Sequence, residues 1–391
     1  MSIFDSRDQW DIGPDGHLVA AQMSMKLHPG SPSRVGLWTI DDTAGARPVG
    51  TIDLPDTLQQ VTFVNAITLL TVDHSGRPQL WNISDPSHPI AGTALTTADF
   101  TTYPTGLGDF IISTAVTVDK DLATVQGGGK LQLWRVNGSS ATEAGSLPAP
   151  DPADVAGLLN NHQAVVAAKD GFTWWDVTDP DHPVHVADTP LGGGNKGNVH
   201  GSGSVVAAVL GFPAVKNTLF LLKFPDSKSG TAVQLTDNAG GEVALSDDQH
   251  FLASDGSGAN TVNLWDVRDP AHPRATAAVT TKPGVQGMAF NAGDTLMATW
   301  SAAGVQLWSL RDSSSPALIV SIPTSYSGTP ITTFTPNSAW LAVDTSSSIR
   351  FIDTNPNALA TRLCSYTGKA MTPQQWAHAT QGLPYQPVCN A

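Results

Sequence analysis

The chain has 391 residues and a formal net charge of −14, with its 20 Lys and Arg residues scattered. Nucleic acid and anionic membrane both call for a basic face, so neither is an expected partner. Charged residues are only 14% of the chain and Gly and Pro number 36 and 28, a composition of short strands and tight turns.

MSIFDSRDQW, at the start, lacks the basic and apolar regions of a secretory signal. No run nears the ~20 apolar residues of a membrane span. The expectation is a cytoplasmic protein without membrane insertion, or a domain of a longer chain.

Eight segments then carry the same apolar strand: VGLWTI, PQLWNI, LQLWRV, FTWWDV, LFLLKF, VNLWDV, VQLWSL and IRFIDT. Their aligned positions are Trp38, Trp81, Trp134, Trp175, Leu222, Trp265, Trp308 and Ile352. A self-similar period in the low forties with a strand-ending tryptophan predicts β-propeller blades. The predicted fold is all-β: residues 1–355 as a propeller of eight four-stranded blades, or seven plus an irregular unit. Ile3-Phe4 is the candidate outer strand closing the last blade. A repeat array escapes the size limit of a single core, because each unit packs only on its neighbours.

The unit at 241–281 is the clearest. Its strands are expected near 242–246, 250–254, 261–267 and 274–280. Val262 and Leu264 face one way and Trp265 and Val267 the other, so both faces of this strand should be covered. All six aligned tryptophans are expected to be buried. Turn formers recur between the first two strands in IGPDGHLVA, LSDDQHFLA, FNAGDTLMA and FTPNSAWLA.

Two places depart from the repeat. The connection TTADFTTYPTGLGD (96–109) is long, and the fifth unit combines LGGGNKGN (191–198), GFPAVKNT (211–218) and Leu222 in place of tryptophan. Insertions on one face of a repeat fold mark a binding face as readily as neutral drift. The candidate partner-binding residues are Phe100, Tyr103, Lys196, Phe212, Lys216 and Tyr326. All project from the face of the second-to-third-strand turns and the crossovers between units.

Chemical motifs are sparse. QGGGK and GGGNKG lack the Ser or Thr after lysine that a phosphate loop needs, and neither joins a strand to a helix. His88, His182 and His272 occupy one repeat position, each before a proline, so they sit apart around a ring and cannot share a metal ion. They read, with Asp85, Asp179 and Asp269, as turn residues. His200 and His250 read as surface or strand residues. No catalytic residue, metal ligand or cofactor is assigned, and no metal or nucleotide is expected to be required for folding or activity.

The segments LWNISDPSHP (80–89), WWDVTDPDHP (174–183) and LWDVRDPAHP (264–273) resemble the WD-repeat domains of actinobacterial proteins. Such domains stand alone or follow a signalling NTPase module, so the resemblance implies a sensor role in a signalling system. In residues 356–391, Asn355-Pro356 and Thr372-Pro373-Gln374-Gln375 begin helices. This tail resembles the one that closes many of those domains and is expected to pack on the propeller. Cys364 and Cys389 are then a disulfide, worth roughly 3 kcal/mol on the loop-entropy model, or two close thiols.

The leading functional reading is a non-catalytic scaffold or sensor that binds a protein or peptide, monomeric as an isolated domain. The alternatives are a propeller hydrolase, lyase or isomerase with a site at the central channel, or a small-molecule sensor.

Overall fold

The computed structural model describes residues 10–23, 32–41, 45–73, 76–95, 116–119, 121–127, 129–149, 155–160, 162–168, 170–191, 195–212, 215–225, 230–256, 260–323, 332–344, 349–354 and 372–374. These form seven antiparallel sheets in chain order: four of four strands, one of seven, one of four and one of three. The first comprises Trp10–Ile12, Leu18–Gln22, Ser33–Asp41 and Gly45–Leu54, each paired with the next. Every other four-stranded sheet repeats this meander.

The fifth sheet joins two sequence repeats. A single strand, Ala232–Leu245, is the outer strand of the fifth repeat and the inner strand of the sixth. The expected separate strand at 242–246 is therefore the far end of a longer one. A register shift between Ala239 and Val243 marks where the chain turns from one repeat into the next. The remaining strands of that unit fall at Phe251–Gly256, Thr261–Asp266 and Arg274–Thr280, close to expectation.

Apolar clusters lie between consecutive units. Val267 and the partly buried Trp265 pack with Leu219 and Leu221 of the preceding repeat. Val262 and Leu264 pack instead with Met297 and Trp308 of the following one. A strand apolar on both faces is thus covered on both faces. The first and last sheets share a cluster as well: Trp10 and Ile12 pack with Ala342, Ile349 and Phe351. The two ends of the array meet.

The tryptophan expectation needs correction. Only Trp134 and Trp308 are fully buried, at 5% exposure each, while Trp38, Trp81, Trp175 and Trp265 are half-buried. The residue before the tryptophan carries the deep packing: Leu37, Leu80, Leu133, Trp174, Leu264 and Leu307 are all at 2% exposure or less. Opposite each of these pairs the outer strand bulges, as between Leu37/Trp38, Trp174/Trp175, Leu264/Trp265 and Leu307/Trp308. A bulge bends the strand and strengthens its local twist, and the tryptophan lies at that bend.

The lengthened loop expected at 211–218 is instead a hairpin. Strand Val205–Phe212 pairs with Val215–Lys223 up to Phe212 opposite Val215. In the tail, Pro373 and Gln374 are helical, directly after Thr372. The other tail residues, Cys364 and Cys389 among them, lie outside the described residues, as do Ile3, Phe4 and 96–115. No described helix is long and apolar enough to cross a membrane.

Candidate functional site

The Asp-Pro-x-His corners close on themselves. His88, His182 and His272 each place Nδ1 against the carboxylate three residues earlier, at 3.1, 3.0 and 2.9 Å. The same carboxylates accept the backbone N–H two residues on. The hydroxyl of Ser87, followed by His88 and then the Ser87 amide, holds Asp85 down at about 2. The His182 and His272 contacts lower Asp179 and Asp269 in the same way. These are turn residues, one set per corner.

The corners also lock units together. Gly50 and Gly145, in the outer strands of the first and third sheets, face the backbone oxygens of Pro86 and Pro180 in the next sheet's corner. A Cβ there would lie 1.8 or 2.4 Å from those oxygens. Thr93 N donates to Ser139 O at 2.8 Å across the second and third sheets. Arg135 reaches Asp179 and Asp181 of the fourth sheet at 3.4 and 2.7 Å.

On the same side of the sheets as these corners, the turns between first and second strands form a chain of contacts. A left-handed residue recurs in them: Gly16, Gly203, Gln249, Asp294 and Ser338, with φ of 73°, 55°, 62°, 53° and 57°. Asn160 Nδ2 donates to Gly203 O at 2.8 Å. Ser204 N donates to Gln249 Oε1 at 3.2 Å, and Ala292 N to Ser338 Oγ at 3.1 Å. A Cβ on Gly16 would lie 2.9 Å from Asn337 Nδ2. Each turn thus touches the turn of the next repeat from the fourth repeat round to the first.

One link in this chain is ionisable. Asp248 and His250 from the sixth repeat meet Asp294 from the seventh. His250 Nδ1 is 2.8 Å from Asp248 Oδ2 and 3.6 Å from Asp294 Oδ2. Asp248 Oδ1 also accepts from Ser246 Oγ at 2.9 Å and His250 N at 3.1 Å. Burial, and then the neighbouring Asp248 carboxylate, pushes Asp294 up to about 8. The sequence reads His250 as a surface or strand residue and Asp247-Asp248 as a turn, and assigns no role to Asp294. The available signal was the alignment of LSDDQH with FNAGDT at one repeat position, which sets the two turns side by side.

Two further titratable groups sit in joints. Asp11 Oδ2 accepts from Phe63 N at 2.7 Å and Thr62 Oγ1 at 3.1 Å, tying the first sheet to the second. Burial raises its carboxyl to about 6 against these hydrogen bonds. His200 is a strand residue, within Asn195–Ser202. Its Nδ1 accepts from Leu245 N at 3.1 Å, and burial depresses it to about 4.

Of the six candidate binding residues, Phe100, Tyr103 and Tyr326 lie outside the described residues. Lys196 is in a strand, opposite Leu210. Phe212 and Lys216 are on the adjoining strands beside the hairpin end. Register brings these three backbone positions to one end of the fifth sheet. An open crevice of about 420 Å³ lies on the rim of that sheet, lined by Leu235, Thr236, Trp265 and Ala277 with other small residues, none of which titrates.

No protein-family model matches the chain, and no curated protein matches it. Solved structures do. Sqt1 from Chaetomium thermophilum superposes with a TM-score of 0.63 at 14% identity, over 88% of this chain and 96% of that one. Sqt1 from Saccharomyces cerevisiae gives 0.63 at 12% identity, over 90% and 96%. The β-propeller domain of Cps50 (Swd1) from Myceliophteria thermophila gives 0.53 at 13% identity, over 76% and 96%. The fold is a β-propeller. At these identities the likeness carries the fold alone. In a propeller, the interlocked first turns and the Asp-His corners occupy one face, and Lys196, Phe212 and Lys216 the other.

Proposed function

We propose that this propeller is a non-catalytic scaffold or sensor that binds a protein or peptide through the face of its crossovers and second-to-third-strand turns. The observation that carries the reading is the interlocking of the opposite face. Turn grips turn there from the fourth repeat round to the first, and the sequence puts its segments of irregular length at the other ends of the strands. Rigid anchorage lets a loop bind with little entropy lost. Sqt1 from Chaetomium thermophilum has been crystallised bound to the N-terminus of ribosomal protein L10, which supports peptide capture as a use of this architecture.

In this reading the ring has eight blades, with the fifth sheet counted as two and Ile3-Phe4 closing the last. Residues 356–391 form a helical tail packed on the ring, with Cys364 and Cys389 in contact. The Asp-Pro-x-His corners fit the actinobacterial type of WD repeat. The contact residues are Phe100, Tyr103, Lys196, Phe212, Lys216 and Tyr326, and the chain works as a cytoplasmic monomer with no cofactor.

The test is cross-linking mass spectrometry on the full chain with proteins captured from its source cells. It is followed by alanine substitution at the six positions. Cross-links on the crossover face, and binding weakened by those substitutions, are the expected result. Binding that survives all six and is abolished by substitutions on the Asp-His corners would assign the other face.

A further inference from the structure

The joint between the sixth and seventh repeats contains a feature that packing alone does not explain. Asp294 is 9% exposed, and although Ser246 and Asp248 lie beside it, neither of its carboxylate oxygens meets a donor in full hydrogen-bond geometry. A buried carboxyl ordinarily has donors around it, because leaving it bare costs the full desolvation of the group. Here the side chain is aimed at another carboxylate, Asp248, and at the Nδ1 of His250. The donor atoms of the three residues all lie within 4.8 Å of one another.

That set is two carboxylate oxygens and one imidazole nitrogen converging from two repeats. We propose that Asp248, His250 and Asp294 bind a divalent cation of the borderline class, of which zinc is the type, and that the ion clamps the sixth repeat to the seventh. Oxygen and imidazole ligands together suit zinc and its neighbours better than calcium or magnesium, which prefer all-oxygen shells. Asp248 and His250 are exposed, so the ion has an open path from solvent and room for water as a further ligand. Asp294 supplies the buried floor. The Asp-His corners offer only two such groups apiece, side by side at the surface. The ion tightens a joint in a ring held by many apolar contacts, so the fold does not depend on it.

The experiment uses the full chain, stripped with EDTA and titrated with zinc chloride by calorimetry, with thermal unfolding measured alongside. The expected result is a saturable one-to-one isotherm and a zinc-dependent rise in the unfolding midpoint. Asp294→Asn should bind at least about tenfold more weakly, since losing a ligand should cost no less than losing an outer-shell partner. Asp294→Gly provides a variant whose folding is not in doubt, because glycine suits the left-handed backbone at this position. It should unfold at a higher midpoint than the wild type without zinc and lose the zinc response. His272→Ala, in a corner, should leave binding unchanged. Absence of one-to-one binding by the wild type, or full zinc stabilisation in Asp294→Asn and Asp294→Gly, would overturn the proposal.

Discussion

The indole Nε1 of Trp81 donates to Thr71 Oγ1 across 2.9 Å, from a third strand to the second strand of the same sheet. The hydroxyl sits two residues beyond the one that pairs with the tryptophan, Leu69. Trp308 reaches Thr299 at 3.1 Å and Trp265 reaches Ser254 at 3.4 Å by the same offset. At that offset Trp134 and Trp175 meet Val125 and Val166, and their buried indole N–H groups have no acceptor.

This pattern makes both directions of substitution informative. Val125→Thr should supply Trp134 with the missing acceptor and stabilise the chain by about 1 kcal/mol, the net worth of an ordinary hydrogen bond. Thr299→Val should orphan the Trp308 indole and cost about 1–3 kcal/mol. Urea unfolding of both variants checks the pair. A loss of stability in Val125→Thr would mean that the hydroxyl does not reach the indole.

The glycines of the outer strands should be intolerant of a side chain in proportion to what they face. Gly50→Ala forces a Cβ onto the Pro86 oxygen, and overpacking of that kind costs about 1–3 kcal/mol. At Gly241 a Cβ would meet nothing within 4 Å, so Gly241→Ala should be neutral or slightly stabilising. Thermal midpoints of the two variants give the comparison.

Asp11 should make the chain lose stability as pH rises. Its carboxyl holds its proton to about 6 in the folded chain against 3.8 as the ordinary value. Its contribution is therefore complete below pH 3.8 and is lost as pH climbs through 6. Asp11→Asn should remove this slope between pH 4 and 6 in chemical denaturation measured across pH. An unchanged slope would place the titration elsewhere.

His200 should act in the opposite direction. The folded chain holds it neutral down to about 4, against an ordinary value of 6.5. The stability that depends on the neutral ring is complete above pH 6.5 and is lost as pH falls through 4. Protonation of Nδ1 also removes the acceptor for Leu245 N, so acid should loosen the strand Asn195–Ser202 from Ala232–Leu245 first. Amide exchange at Leu245, speeding up below pH 6 in the wild type and not in His200→Gln, is the measurement.

By itself the sequence determined the repeat, its turn chemistry and the double-faced third strand, since these are local. Val262 and Leu264 alternate against Trp265 and Val267 within a few residues, and Asp269-Pro270 and His272 build their corner from neighbours in the chain. The tertiary structure alone decided which member of each Leu-Trp pair is deepest, because that depends on a bulge in a different strand and on the adjoining unit. It alone joined the fifth and sixth repeats through one continuous strand, and brought the two ends of the array together at Trp10 and Ala342. It also placed Asp294 beside Asp248 and His250. Two turns a whole repeat apart are unrelated along the chain, and they become neighbours only because each unit buries its apolar face on the next.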